Sequence, residues 1–181
     1  MRNKTVPILF LSLFLTTLLF SQEESKSGPV IKDFGKVWKI DDPDFELQKN
    51  VELKVVFDIM DSPESHQEIN KKIETAARFL NMHAQSGVSS DQLKVALVVH
   101  HSASKDIMNN ETYRKSYGVD NPNFELVKAL LKVDAQIIFC GQSSKSRKIP
   151  KDNLIDDVQL ALSAMTALIQ LQNKGYRLIK F

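Results

Sequence analysis

The chain has 181 residues, with 24 basic and 22 acidic side chains, and the small positive excess lies at its N-terminus: residues 1–21 hold Arg2 and Lys4 and no acid, so the remainder balances. A balanced chain lacks the clustered Lys and Arg that neutralise phosphates, which argues against a nucleic-acid partner. One cysteine, Cys140, excludes an intramolecular disulfide, and the roughly 160 residues after the first 21 suit one domain around one core.

Arg2 and Lys4 precede an apolar block from Val6 to Phe20, and Glu23 and Glu24 follow it. Residues 1–21 therefore read as a signal peptide cleaved near Ser21, with an uncleaved anchor as the alternative. The block is short for a span, which needs about 20 apolar residues, and no second such block follows. A periplasmic or otherwise secreted protein with no stable membrane span after cleavage is expected. No cysteine lies near the cleavage point, so a lipoprotein is excluded.

Residues 22–50 read as an extended arm, punctuated by Gly28, Pro29, Gly35 and Pro43. Val37, Trp38, Ile40 and Phe45 predict that its later part packs on the domain or on a neighbouring subunit. The domain proper is 51–181. Its first strand is Leu53 to Met60, short and rich in β-branched and aromatic residues, as in a strand covered on both faces. Ser62 and Pro63, or Ser65 with Glu68, offer start signals for a helix. Ile69, Ile73, Ala76, Ala77 and Leu80 continue it at helical spacing to Gly87; His66 and His83 are assigned to it in surface or capping roles. Lys94 to His101 is a second buried strand. A polar loop over 102–123 leads to a helix marked by Phe124, Val127, Leu130 and Leu131. Ala135 to Cys140 is the third strand. A polar, basic stretch over 141–153 precedes a short strand near 158–162, a helix with Met165, Leu168, Ile169 and Leu171, and a last strand, Tyr176 to Lys180. Strands alternating with helices predict an α/β fold with a mainly parallel five-stranded sheet between helical layers.

In such a sheet ligands bind at the carboxyl ends of the strands, where loops and helix N-termini converge. Asp58 and Asp61 follow the first strand, His100 and His101 the second, and Cys140 the third. These residues, with Asn121 and Asn123, are expected around one cleft. His100 and His101 are adjacent on a strand, so only one should face it, as a base for Cys140, a substrate contact or a strand-end hydrogen-bonding group. If a helical turn begins after Cys140, its positive end and Lys145, Arg147 and Lys148 favour the thiolate. The thiol then reads either as a nucleophile or sulfur carrier or as a small hydrophobe closing the strand. No His, Cys, Asp or Glu recurs at metal-ligand intervals, and there is no glycine-rich phosphate loop or serine-hydrolase elbow. Neither a metal nor a cofactor is expected.

The stretch Ala135-Gln136-Ile137-Ile138-Phe139-Cys140-Gly141-Gln142-Ser143, with Arg147 and Ile149 beyond it, resembles the cysteine segment of the DsrE-like family, which includes the TusD sulfur-relay subunits. Val37-Trp38-Lys39-Ile40, Lys54 to Asp58, Asp120 to Leu126, Ser163 to Leu168 and Gly175-Tyr176 resemble its secreted branch, so the likeness spans about residues 30–181. It implies a flavodoxin-like three-layer α/β/α sandwich assembled into trimers or hexamers. It implies that Cys140 carries a persulfide exchanged with a sulfur donor or acceptor protein, as carrier or sulfurtransferase, with His100, His101, Asn121, Asn123, Gly141, Gln142 and Ser143 around the substrate. The chain departs from the pattern twice. His101 stands where secreted relatives often have Gly, and the relay systems are cytoplasmic, so an export signal removes their tRNA-modification partners. The rival expectation is a non-catalytic small-ligand or protein-interaction module in which Cys140 lines a pocket.

Overall fold

A computed structural model describes residues 24–180; the expected signal peptide lies outside them. Five parallel strands, β1 (Leu53–Ile59), β2 (Leu93–Val99), β3 (Gln136–Cys140), β4 (Gln159–Ala161) and β5 (Arg177–Ile179), lie in the order β4-β3-β2-β1-β5. The helices are α1 (Lys71–Gln85), α2 (Asn110–Tyr117), α3 (Phe124–Leu131), α4 (Gly141–Arg147) and α5 (Ala164–Asn173).

The order of the strands dictates the layers. From β1 to β4 each connection moves one strand in the same direction, and right-handed crossovers then fall on one face. The return from β4 to β5 runs the opposite way across the whole sheet, so α5 must cover the other face. Side-chain alternation along the strands agrees. Val55, Phe57, Ile59, Leu97 and Phe139 pack with Ile73 and Leu80 of α1 and Leu126 and Leu130 of α3. Val56, Val98, Ile138 and Cys140 pack with Ala164, Ala167 and Leu171 of α5. The three-layer α/β/α architecture and all five expected strands are present.

Two expectations about helices are corrected. Helix α1 starts at Lys71, not near Ser62-Pro63, and Asn70 caps it by accepting from the Lys72 N–H at 3.0 Å. Asn70 is recruited by the tertiary fold. Its N–H donates to Asn123 Oδ1 at 2.7 Å and its amide to Asp106 Oδ2 at 2.7 Å, so the chain ahead of it cannot stay helical. His66 consequently precedes the helix and stacks on Tyr117, while His83 stays on it, with Nδ1 2.8 Å from the Phe79 carbonyl. The expected loop over 102–123 contains a 3₁₀ segment, His101–Ile107, and α2. Tyr113 alone is buried on α2, so there was no apolar stripe to reveal it. The helix rests instead on caps, Asn109 accepting from the Thr112 N–H at 2.8 Å and Gly118 at φ +77°.

The arm joins the fold through α1. Buried Asn81 accepts from the Ile31 N–H at 2.8 Å and donates to the carbonyls of Ile31, Phe34 and Gly35. Gly35 lies against α1 so closely that a Cβ there would sit 2.5 Å from the Ala77 carbonyl carbon. Val37 is buried; Trp38, Ile40 and Phe45 are exposed.

Candidate functional site at the β3–β4 switch point

Strand β3 leads into α4 and on to residues packed on the α1 side, Ile149, Leu154 and Val158. Strand β4 leads into α5 on the opposite side. Adjacent strands whose connections depart to opposite faces leave a crevice at their carboxyl ends. Cys140 stands there, the last residue of β3, paired in register with Ala161 of β4.

The thiol is buried, at 6% exposure, and lies between the first turns of two helices. Burial pushes its pKa up. The N–H groups of Ser143 and Ala164, the Ser143 hydroxyl and the Gln142 N–H all favour the charged form and together outweigh burial, so the thiol lies below its ordinary range. The thiol stands between the starts of α4 and α5, where neighbouring N–H groups favour its charged form. An inert apolar cysteine has no such donors.

The approach of the two helices requires Gly141. A Cβ at this position would lie 2.5 Å from the Ala161 carbonyl oxygen and 3.1 Å from that of Leu162, both backbone atoms. Gln142 Nε2 also donates to the Leu162 carbonyl at 3.2 Å, so α4 is tied to the start of α5. Gly141→Ala is expected to cost about 2 kcal/mol, as overpacking does, and to raise the thiol pKa by parting Ala164 from the sulfur. Thermal melts and the pH dependence of alkylation would register the two effects together. A variant with wild-type values of both would show that α4 and α5 need not meet so closely.

Across the sheet, on the face that bears Cys140, runs a row of polar side chains. His100 follows the Val99↔Phe139 pair, as Cys140 does, and its extended backbone, φ −156°, keeps the alternation of β2. Neighbouring strands are about 5 Å apart, so His100 and Cys140 are neighbouring positions on one face. His100 Nε2 lies 2.7 Å from Asp58 Oδ1, and Lys180 Nζ donates to Asp58 Oδ2 at 3.0 Å. Among the described residues His100 Nδ1 has no hydrogen-bond partner, which leaves it to exchange a proton. Of the two candidate carboxylates Asp58 belongs to this row. Asp61 is exposed and accepts from Lys72 Nζ at 2.6 Å, which lowers its pKa.

His101 plays another part. Its side chain is exposed and its φ is +53°, the left-handed region glycine favours. Its N–H donates to Ser143 Oγ at 3.1 Å, and the Ser143 hydroxyl is among the groups that favour the ionised thiol. Cys140 is thus linked to both histidines, to His100 by strand register and to His101 through Ser143.

Asn121 and Asn123 bind parts of the scaffold together. Both are buried. Asn121 Nδ2 donates to the carbonyls of Asp106 and Met108, and its Oδ1 accepts from the Asn123 N–H. Asn123 Oδ1 accepts from the Asn70 N–H, and its Nδ2 donates to Asp106 Oδ1. No polar atom of either is left for a ligand. At their centre Asp106 also accepts from Ser62 Oγ at 2.8 Å. Burial pushes its pKa up to about 6 against the opposing effect of these donors.

Sequence reasoning missed Ala164, Lys180 and Asp106. Ser163 before Thr166 is an N-cap signal, realised by the Thr166 N–H donating to Ser163 Oγ at 3.0 Å, and it could have marked Ala164 as a helix N-terminus. No local signal marks the other two. Among the described residues no three His, Cys, Asp or Glu are placed to hold a metal ion, and no helix is long and apolar enough to cross a membrane.

No curated protein matches the chain. Two solved structures share its fold. A protein of unknown function from Methanobacterium thermoautotrophicum is 16% identical, with TM-score 0.55, and the YchN protein of E. coli is 16% identical, with TM-score 0.52. Each alignment covers 71% of this chain and 99% of the other. From the second residue of β1 to the C-terminus, residues 54–181, the chain matches the model of the DsrE/DsrF-like family, and to that family it belongs.

Proposed function

We propose that this protein is an exported, self-associating DsrE-like protein that carries sulfur as a persulfide on Cys140. The observation that carries the reading is the place of Cys140 at the carboxyl end of β3, between the starts of α4 and α5 that Gly141 allows to approach, where neighbouring N–H groups and the Ser143 hydroxyl hold the thiol below its ordinary range. Export is inferred from residues 1–21, and self-association, as a trimer or hexamer, from the family.

The chemistry is redox-neutral. The Cys140 thiolate attacks the outer sulfur of a sulfane donor, R–S–SH. A new S–S bond forms at Cys140, the donor's S–S bond breaks, and the electron pair leaves on R–S⁻, which takes up a proton. Delivery to an acceptor thiolate reverses these steps. The donors around Cys140 hold whichever sulfur is negative, and His100 is the neighbouring group able to move the proton. At 6% exposure the thiol admits a small sulfane donor more readily than a folded protein's cysteine.

Alkylation by iodoacetamide against pH tests the reading, because only the thiolate reacts. A half-maximal rate well below pH ~8.5, the free-cysteine value, is expected. A midpoint at or above it would identify Cys140 as an inert core residue.

A further inference from the structure

The two faces of the sheet each carry an apolar surface that none of the described residues covers. From Val158 to Asn173, through β4 and α5, there is no charged residue. Leu160, Leu162, Met165 and Ile169 of this stretch are 46%, 73%, 73% and 58% exposed. A helix facing only water would carry charge on that side. This surface borders the thiol, since Ala161 pairs with Cys140 and Ala164 shares its buried cluster.

On the other face, residues 38–46 bulge from α1 between buried Val37 and partly buried Leu47. The bulge displays Trp38, Ile40 and Phe45, the last 94% exposed. It is also acidic, with Asp41, Asp42, Asp44 and Glu46 against Lys39. Lys39 pairs with Asp41, while Asp42, Asp44 and Glu46 form no ion pair among the described residues.

We infer that the 38–46 bulge of one copy docks on the β4–α5 surface of a second copy, over the mouth of the Cys140 site. Three observations select this occupant. Both surfaces are apolar, and each is too exposed to be left in water. Their charges are complementary: Gln142 faces Leu162 through its hydrogen bond, and Lys145, one turn along α4 on that side, is exposed without an ion pair among the described residues. Within one chain the two surfaces cannot meet, because the bulge is tethered to α1 and the sheet separates α1 from α5. A contact between unlike patches is head-to-tail, and it forms a ring when its rotation closes. Each thiol is then covered by its neighbour's arm. The inference rests on the self-association in the proposed function and not on its sulfur chemistry.

Sedimentation velocity at micromolar concentration tests it, on protein purified from cells expressing the full chain. Phe45→Asp and Met165→Asp change only exposed positions, and circular dichroism checks their folding. Wild type is expected to be assembled. Each variant is expected to raise the dissociation constant by on the order of thirtyfold or more, as loss of an interface anchor does. An equimolar mixture of the two is expected to recover dimers, since an intact arm then meets an intact face. The thiol of each dissociated variant is expected to alkylate faster than that of wild type. A mixture that stays dissociated, or dissociation by Met165→Asp alone, would overturn the arm as occupant while leaving self-association standing. A monomeric wild type would overturn both, and sulfur loading measured on the same sample would report separately on Cys140.

Discussion

Cys140→Ser is expected to abolish sulfur loading and to shift the melting temperature by no more than about 3 °C, the change that roughly 1 kcal/mol produces in a domain of this size. Serine keeps the volume and the acceptor. The N–H groups of Ser143, Ala164 and Gln142 that now favour a thiolate would bond its hydroxyl oxygen, so the usual cost of a buried hydroxyl without a partner does not arise. The chemistry is lost because a hydroxyl stays protonated at neutral pH and cannot hold a second sulfur. A large fall in melting temperature with unchanged small-molecule or partner binding would instead mark Cys140 as structural and end the carrier assignment.

The second large effect belongs to Asp106. Its carboxylate accepts from Ser62, Asn70 and Asn123, and it ties the start of α1 to the start of α3. In Asp106→Asn one oxygen becomes a donor facing a donor. Asn70 cannot reverse its amide to compensate, because its own oxygen caps α1 and its nitrogen also serves the Asp61 carbonyl. A loss of about 1–3 kcal/mol is expected at pH 7.

The pH dependence runs opposite to that of an ordinary buried salt bridge. A carboxyl whose folded pKa is raised, here from 3.8 to about 6, contributes stability that is fully present below the unfolded value and is lost as pH rises through the folded one. Acidification from pH 7 to 4 should therefore widen the gap between wild type and Asp106→Asn by about 2–3 kcal/mol, since asparagine does not titrate. Urea melts of both proteins at the two pH values give the difference directly. A gap that narrows on acidification would mean that Asp106 is ionised throughout and held by its donors.

Asp58, His100 and Cys140 were legible in the sequence for one reason. His100 and Cys140 end apolar, β-branched runs and Asp58 stands one residue before the end of another, and a parallel sheet brings such ends to one edge. Asn121 and Asn123 met the same criterion of polarity near that edge, but composition does not distinguish an amide free for a ligand from one spent on Asp106 and the backbone. Lys180 was hidden because only the strand order sets β5 beside β1, and Ala164 because only that order sets β4 beside β3. The beginning of α1 was misplaced for a related reason. Ser62-Pro63 is a sound local start signal, and the tertiary bonds of Asn70 override it. Helix α2 shows the opposite limit, a segment whose caps are informative and whose polarity hides it from periodicity.

The carrier claim is tested most directly by the intact mass of the protein after brief exposure to polysulfide and removal of excess reagent. The account predicts a gain of one sulfur atom per chain in wild type, reversed by a small thiol and absent in Cys140→Ser. A wild-type mass that stays unchanged while the thiol remains free to alkylate would contradict it.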